Sequence, residues 1–160
     1  MTADELRERL SYDPDTGVFV WLKSAAPYRN GKVAGGASPK GYRSLRIDGK
    51  YVLAHRVAWL FVHGEWPDRE IDHINGDGTD NRIANLRLAT RGQNMMNTGN
   101  RRNSTTGFKA VGVIPSGKYR ARIRTNGKRI HLGVFPTAED AAEAYRRAAI
   151  ELCGEFARFE

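Results

Sequence analysis

Seven consecutive turn formers, Asn75-Gly76-Asp77-Gly78-Thr79-Asp80-Asn81, separate two short apolar segments at residues 71–74 and 86–88. Asn, Gly and Asp tolerate the backbone conformations of tight turns, so this stretch reads as a loop between two short strands. The first strand delivers Asp72 and His73 to its end. Asn85 stands at the entry to the second. Thr90 is placed to cap a following helix that carries Asn94. The result is a strand–loop–strand–helix unit of about thirty residues.

That unit brings a carboxylate, an imidazole and two amides within reach of one another. A metal-dependent phosphodiesterase needs an oxygen ligand for a hard cation, a base for water and a means of stabilising phosphoryl charge. Asp72 supplies the ligand, and the Asn94 carbonyl supplies a second that suits Mg²⁺ or Mn²⁺ better than Zn²⁺. His73 points to the opposite pleat face from Asp72, or is turned by the strand end, and so can address water rather than the metal. Asn85 is positioned to bond His73 Nδ1 and fix its tautomer. Taken singly, Asp and Asn at strand ends more often cap turns, and a lone His is more often a satisfied polar residue. A calcium loop starting at Asn75 fails, because its sixth position is Asp80 rather than Gly and its twelfth is Leu86 rather than Glu.

Around this unit the chain reads as small mixed elements. Residues 2–10 suggest a helix with Leu6 and Leu10 on one face. Residues 13–17 form a turn and 18–22 a buried strand. Residues 24–40 read as a loop, and Asp48-Gly49 joins a hairpin over 42–53. Residues 55–62 have helical spacing. Residues 97–106 are polar, basic and aperiodic, and the pattern then changes to three short strands and a helix. Residues 119–124 alternate strictly, Asn126-Gly127 makes a hairpin turn, and Pro136-Thr137 opens an alanine-rich helix.

Charge divides the chain further. The net charge is +8, and residues 101–138 hold nine Lys and Arg residues and no acid. A run of this kind favours a polyanionic partner. Arg120, Arg122 and Arg124 share one strand face, and Arg129 and His131 share one on the next strand, opposite Ile130, Leu132 and Val134. In register, these arginines make a cationic sheet suited to a DNA groove. The single cysteine, Cys153, excludes an internal disulfide and a thiolate zinc site and fits an intracellular compartment. The longest apolar run, residues 57–62, is far short of a membrane span, and the N-terminus lacks a signal-peptide pattern.

Residues 54–60, 71–77 and 81–87, with Gln93-Asn94, resemble the HNH endonuclease family, and within it the phage and intron-encoded homing enzymes. The resemblance covers residues 5–98. It implies that His73 is the general base, that Asp72 binds the metal and that Asn85 orients the base. The last motif position, often His, is Asn94 here, which implies one Mg²⁺ or Mn²⁺ ion. His55 opens the helix that would cover the site and is a candidate phosphate contact, with a capping or core role the alternative.

Residues 107–113, 119–124, 128–135 and 137–149 resemble the AP2/ERF DNA-binding domain, over residues 105–160. That family reads the major groove with a three-stranded sheet. The resemblance puts Lys109, Arg122, Arg124, Arg129 and His131 on contact positions. Gly112 and Ile114 fall where plant members carry arginine, and His131 replaces a tryptophan, so base specificity does not transfer. Arg120, Arg101 and Arg102 join the DNA-binding set.

The expectation is an α+β chain. A ββα-metal (HNH) nuclease domain spans 1–98, a linker 99–106, and a three-stranded antiparallel sheet plus helix 107–160. The expected activity is site-selective, homing-type hydrolysis of double-stranded DNA, leaving 5′-phosphate and 3′-hydroxyl ends. Nicking is expected from a monomer, with a homodimer as the route to a double-strand break and no membrane partner. A DNA-binding regulator with a degenerate nuclease domain and an RNA-binding protein are the rivals.

Overall fold

The computed structural model describes residues 1–39, 41–100, 104–125 and 127–159. The chain divides into two compact units, Met1–Ala89 and Thr90–Glu160. The break precedes the helix that carries Asn94, whereas a linker was expected over 99–106.

The first unit opens with α1 (Ala3–Arg7). Thr2 caps it by accepting the Glu5 N–H at 3.2 Å, and the Glu5 carboxylate accepts the Thr2 N–H at 2.7 Å. The helix ends earlier than its apolar spacing suggested. Leu10 begins β1 (Leu10–Asp13), which pairs antiparallel with β2 (Val18–Trp21). Leu6 and Leu10 both reach the core, from different elements. The stretch expected to be a loop over 24–40 contributes two edge strands. These are β3 (Val33–Ala34), on β2, and β4 (Gly36–Ala37), on β5 (Arg43–Ile47). Two-residue strands are too short to leave a periodic signal, and they exist because β2 and β5 offer open edges.

β6 (Lys50–Leu53) completes the expected hairpin with β5. Asp48 and Gly49 both have positive φ, 50° and 80°, as a two-residue turn of this hand requires. α2 (Ala54–His63) ends at Gly64, whose N–H donates to Leu60 O at 2.9 Å. β7 (Glu70–His73) and β8 (Leu86–Ala89) then form a two-stranded sheet. One core holds the unit together, with Leu6, Leu10, Leu45, Val57 and Leu60 at its centre and Ile71 and Leu86 anchoring the β7–β8 pair.

The second unit begins with α3 (Arg91–Met96), capped by Thr90 in a reciprocal box with Gln93. β9 (Val111–Val113), β10 (Tyr119–Thr125) and β11 (Lys128–Phe135) form an antiparallel sheet in the order β11-β10-β9. α4 (Ala138–Cys153) covers one face. Ala141 and Ala149 are fully buried, so the helix approaches Ala121 and Ile123 closely. Met96, at the end of α3, packs against Ile123, Tyr145 and Ala149. That seat is why α3 groups with the second unit. Asn126, expected in the β10–β11 turn, lies outside the described residues. Among those residues no helix is long and apolar enough to cross a membrane.

Gly17 fixes one long-range contact of the first unit. Its φ is +70°, and a Cβ there would lie 2.5 Å from the backbone at Asn81 and Arg82. Gly17→Ala should cost about 1–2 kcal/mol for the left-handed backbone and more for displacing residues 81–82. Gly49→Ala, with nothing within 4 Å of the added carbon, should cost the first amount only. Urea unfolding of both variants checks this, and equal losses would show that the approach at Gly17 is not tight.

Candidate nuclease site and cationic sheet

β7 carries Asp72 and His73 side by side, and both are buried. The pleat sends them to opposite faces. Asp72 faces Arg87 across the β7–β8 pair, and His73 faces Leu86. Arg87 donates to Asp72 Oδ2 from Nε and from Nη2, at 2.8 Å each. Sequence reading did not single out Arg87. The signal was available, because any antiparallel register that sets His73 against Leu86 also sets Asp72 against Arg87.

His73 Nε2 lies 3.3 Å from the Asn81 side-chain oxygen. The Asn81 amide nitrogen donates to Thr79 O at 3.1 Å, so its oxygen is the atom turned to the ring. That contact suits the tautomer protonated on Nε2. Burial lowers the His73 pKa, opposed by the Asn81 bond and by Asp72, Asp77 and Asp80. A lowered histidine is neutral at pH 7, the state a base requires.

The orienting contact expected of Asn85 is thus made by Asn81. Asn85 instead ties the loop. Its oxygen accepts Asn75 N–H at 3.0 Å, and its amide donates to Asp80 O at 2.9 Å. Asp80 is spent on Arg82, at 2.6 and 2.9 Å, which holds its carboxyl down to about 2. Tyr12 Oη donates to Asn81 O at 2.7 Å.

His55, on α2, is only 5% exposed, so it does not present itself to a phosphate. Its ring lies 4.9 Å from His73 and 5.4 Å from Tyr42. Burial, then His73 and Arg56, push its pKa down to about 3. It is a neutral ring packed behind the candidate base, and its Nδ1 is buried with no hydrogen-bond partner among the described residues.

The Asp72 carboxylate is an oxygen donor of the kind that hard cations take. Among the described residues no group of three or more His, Cys, Asp or Glu side chains could hold a metal ion. Asp72 offers the carboxylate, with one of its oxygens shared with Arg87. Asn94 lies on α3, in the second unit. A cation that keeps waters and substrate oxygens in its shell needs no larger protein set.

In the second unit, Arg120, Arg122 and Arg124 alternate with core residues along β10. Arg122 pairs with His131 and Arg124 with Arg129, as the cationic face requires. The face differs at one place. A register shift at Ala121/Arg122 makes Leu132 an extra residue, beside Gly133 at φ 138°. Leu132 stays in the core, while Val134 is turned to the arginine side opposite Arg120. Val134 therefore does not share a face with Leu132. Among the described residues the side chains of Arg122, Arg124, Arg129 and His131 have no hydrogen-bond or ion-pair partner. Partial burial, then Arg120 and Arg129, lower the Arg122 pKa, and Arg120 Nε is buried without a partner.

Lys109 does not join that face. Its ammonium donates to Met96 O at 2.6 Å and Arg158 O at 3.0 Å, and burial lowers its pKa to about 8. Arg101 and Arg102 lie outside the described residues.

The HNH endonuclease family profile matches residues 52–96, from β6 through α3. The chain is 37% identical to an uncharacterized HNH endonuclease of Acanthamoeba polyphaga mimivirus, over 68% of this chain and 57% of that protein. It is 38% identical to an ethylene-responsive transcription factor of Arabidopsis thaliana, over 56% of this chain and 30% of that one. Protein 3.8 of Escherichia phage T7 is 31% identical over 66% of this chain and 88% of its own length. The chain thus spans little more than half of the mimivirus relative and less than a third of the plant factor. No solved structure gives a significant match. Residues 52–96 thus form an HNH endonuclease domain, and the likeness to the plant factor supports an AP2-like domain in the rest of the chain. HNH nucleases generally use a divalent metal.

Two side chains absent from or misplaced by the sequence reading give testable outcomes. Arg87→Ala should destabilise the first unit by about 3–5 kcal/mol, the usual penalty for orphaning a buried charge. Adding Asp72→Asn should restore much of that loss in chemical denaturation. Lys109→Ala should lower the melting temperature, because two carbonyls lose their donor, and leave the preference among DNA sequences unchanged in competition binding.

Proposed function

We propose that the protein is a site-selective endonuclease of double-stranded DNA, of the homing type, with residues 1–98 as the nuclease and 107–160 as the DNA-reading module. The observation that carries this reading is His73: buried, neutral, held through Nε2, and adjacent in sequence to Asp72. Its Nδ1 takes a proton from the attacking water as the water oxygen bonds to phosphorus. The 3′ oxygen departs and is protonated from solvent, leaving 5′-phosphate and 3′-hydroxyl ends. Asn81 keeps the ring in the accepting tautomer throughout. Asn85 holds the loop that carries Asn81.

Asp72 would hold one Mg²⁺ or Mn²⁺ ion, which when bound supplies positive charge for the phosphoryl and leaving oxygens. Arg120, Arg122, Arg124, Arg129 and His131 supply affinity and register through phosphates and base edges. One base per chain nicks one strand, and a two-fold dimer would cut both.

A supercoiled-plasmid assay tests the reading. His73→Ala should slow cleavage by roughly 10²–10⁴-fold with DNA affinity retained. Asp72→Ala should abolish it in either metal. Full cleavage in excess EDTA, or a folded His73→Ala protein cutting at the wild-type rate, would overturn the mechanism.

A further inference from the structure

The first unit carries its own cationic surface. Residues 16–64 hold eight Lys and Arg residues and a single acid, Asp48. Arg9 already occupies that acid, at 2.6 and 3.0 Å. A stretch so depleted of acid is unusual for an inert surface, where signs mix. Three of its cations converge on one groove. It encloses about 480 Å³ and is lined by Trp21, Arg29, Lys32, Arg46 and Tyr51, with glycines between them.

The cations are propped there. Arg46 faces Tyr51 across the β5–β6 pair, and its guanidinium lies 5.8 Å from the ring centre. Arg29 and Lys32 lie 5.5 and 5.9 Å from the ring centre of Tyr28. Both tyrosines are largely exposed, at 68% and 75%. Each cation lies within cation–π distance of its tyrosine ring. No acid pairs with Arg29, Lys32 or Arg46 among the described residues. The groove sets these three cations beside the apolar Trp21, Val33 and Ala37.

We propose that this groove binds the phosphodiester backbone of duplex DNA, so that the nuclease unit grips its substrate through a surface separate from the AP2-like sheet. The proposal rests on the reading of the protein as a DNA nuclease. Duplex backbone is favoured over single-stranded RNA because the tyrosine rings are engaged by cations and do not serve as bare stacking platforms for bases. Contacts of this kind give affinity without sequence preference and make it depend steeply on salt.

The test uses the full chain in EDTA, with a short duplex of arbitrary sequence, and follows anisotropy against salt concentration. The double variant Lys32→Gln/Arg46→Gln should bind all sequences more weakly. It should lower the log–log salt slope by about 2, since each lost phosphate contact removes close to one unit. Arg29→Gln/Lys32→Gln, confined to the segment between β2 and β3, gives a second reading should the first variant melt early. Arg122→Ala/Arg124→Ala should instead change the ranking of sequences. Wild-type affinity and slope in both groove variants would overturn the proposal. So would tight single-stranded RNA binding that the variants abolish while duplex binding stays unmoved. The nuclease reading fails separately, through a wild-type chain that binds duplex DNA but cuts none with Mg²⁺ or Mn²⁺.

Discussion

Asn81 is the joint on which the first unit's chemistry depends. Its carbonyl accepts the Tyr12 hydroxyl, its side-chain oxygen meets His73, and its amide closes onto Thr79. It is 1% exposed, and a buried amide left unsatisfied costs free energy in a way an exposed one does not. Each of its bonds therefore constrains the others. The N-terminal hairpin, through Tyr12 and the close approach of Gly17, holds the loop from outside. The loop in turn holds the imidazole. Packing of the N-terminal hairpin thus reaches the imidazole through one amide.

Much of this arrangement was legible in the residues. The run of turn formers from Asn75 to Asn81 announced the loop, and the flanking apolar segments announced β7 and β8. Thr90 and Asp48-Gly49 did what their local chemistry predicts. What stayed hidden depended on three-dimensional pairing. Asn81 and Asn85 are both amides in the same polar stretch, and nothing local says which one meets His73. The assignment follows from where the β1–β2 turn lands. Lys109 sits in a basic run and reads as one more DNA contact. Only the approach of Met96 and Arg158 reveals that its charge is turned inward to carbonyls. The edge strands β3 and β4 owe their existence to neighbours and leave no periodicity of their own.

The second unit shows the same limit in a sheet. Strict alternation along β10 placed its arginines correctly. On β11 one extra residue, Leu132, shifts the register, and every residue beyond it changes face relative to simple alternation. Gly133 accommodates the shift with a backbone angle open mainly to glycine. The cationic face therefore ends at Arg120 with Val134 and Gly112 beside it. At that end Arg120 stands between an apolar side chain and a bare glycine.

The seating of α3 bears on how such chains could be recombined. The helix continues the HNH motif in sequence, and its last residue is packed into the hydrophobic centre of the AP2-like unit. A chimera spliced in the polar stretch after α3 would leave Met96 without its socket and Lys109 without one of its acceptors. A chimera spliced before Thr90 would import Asn94 with the foreign module. Exchange of AP2-like units between such chains is therefore constrained at this helix, where the end of the HNH match and part of the second unit's core are inherited as one piece.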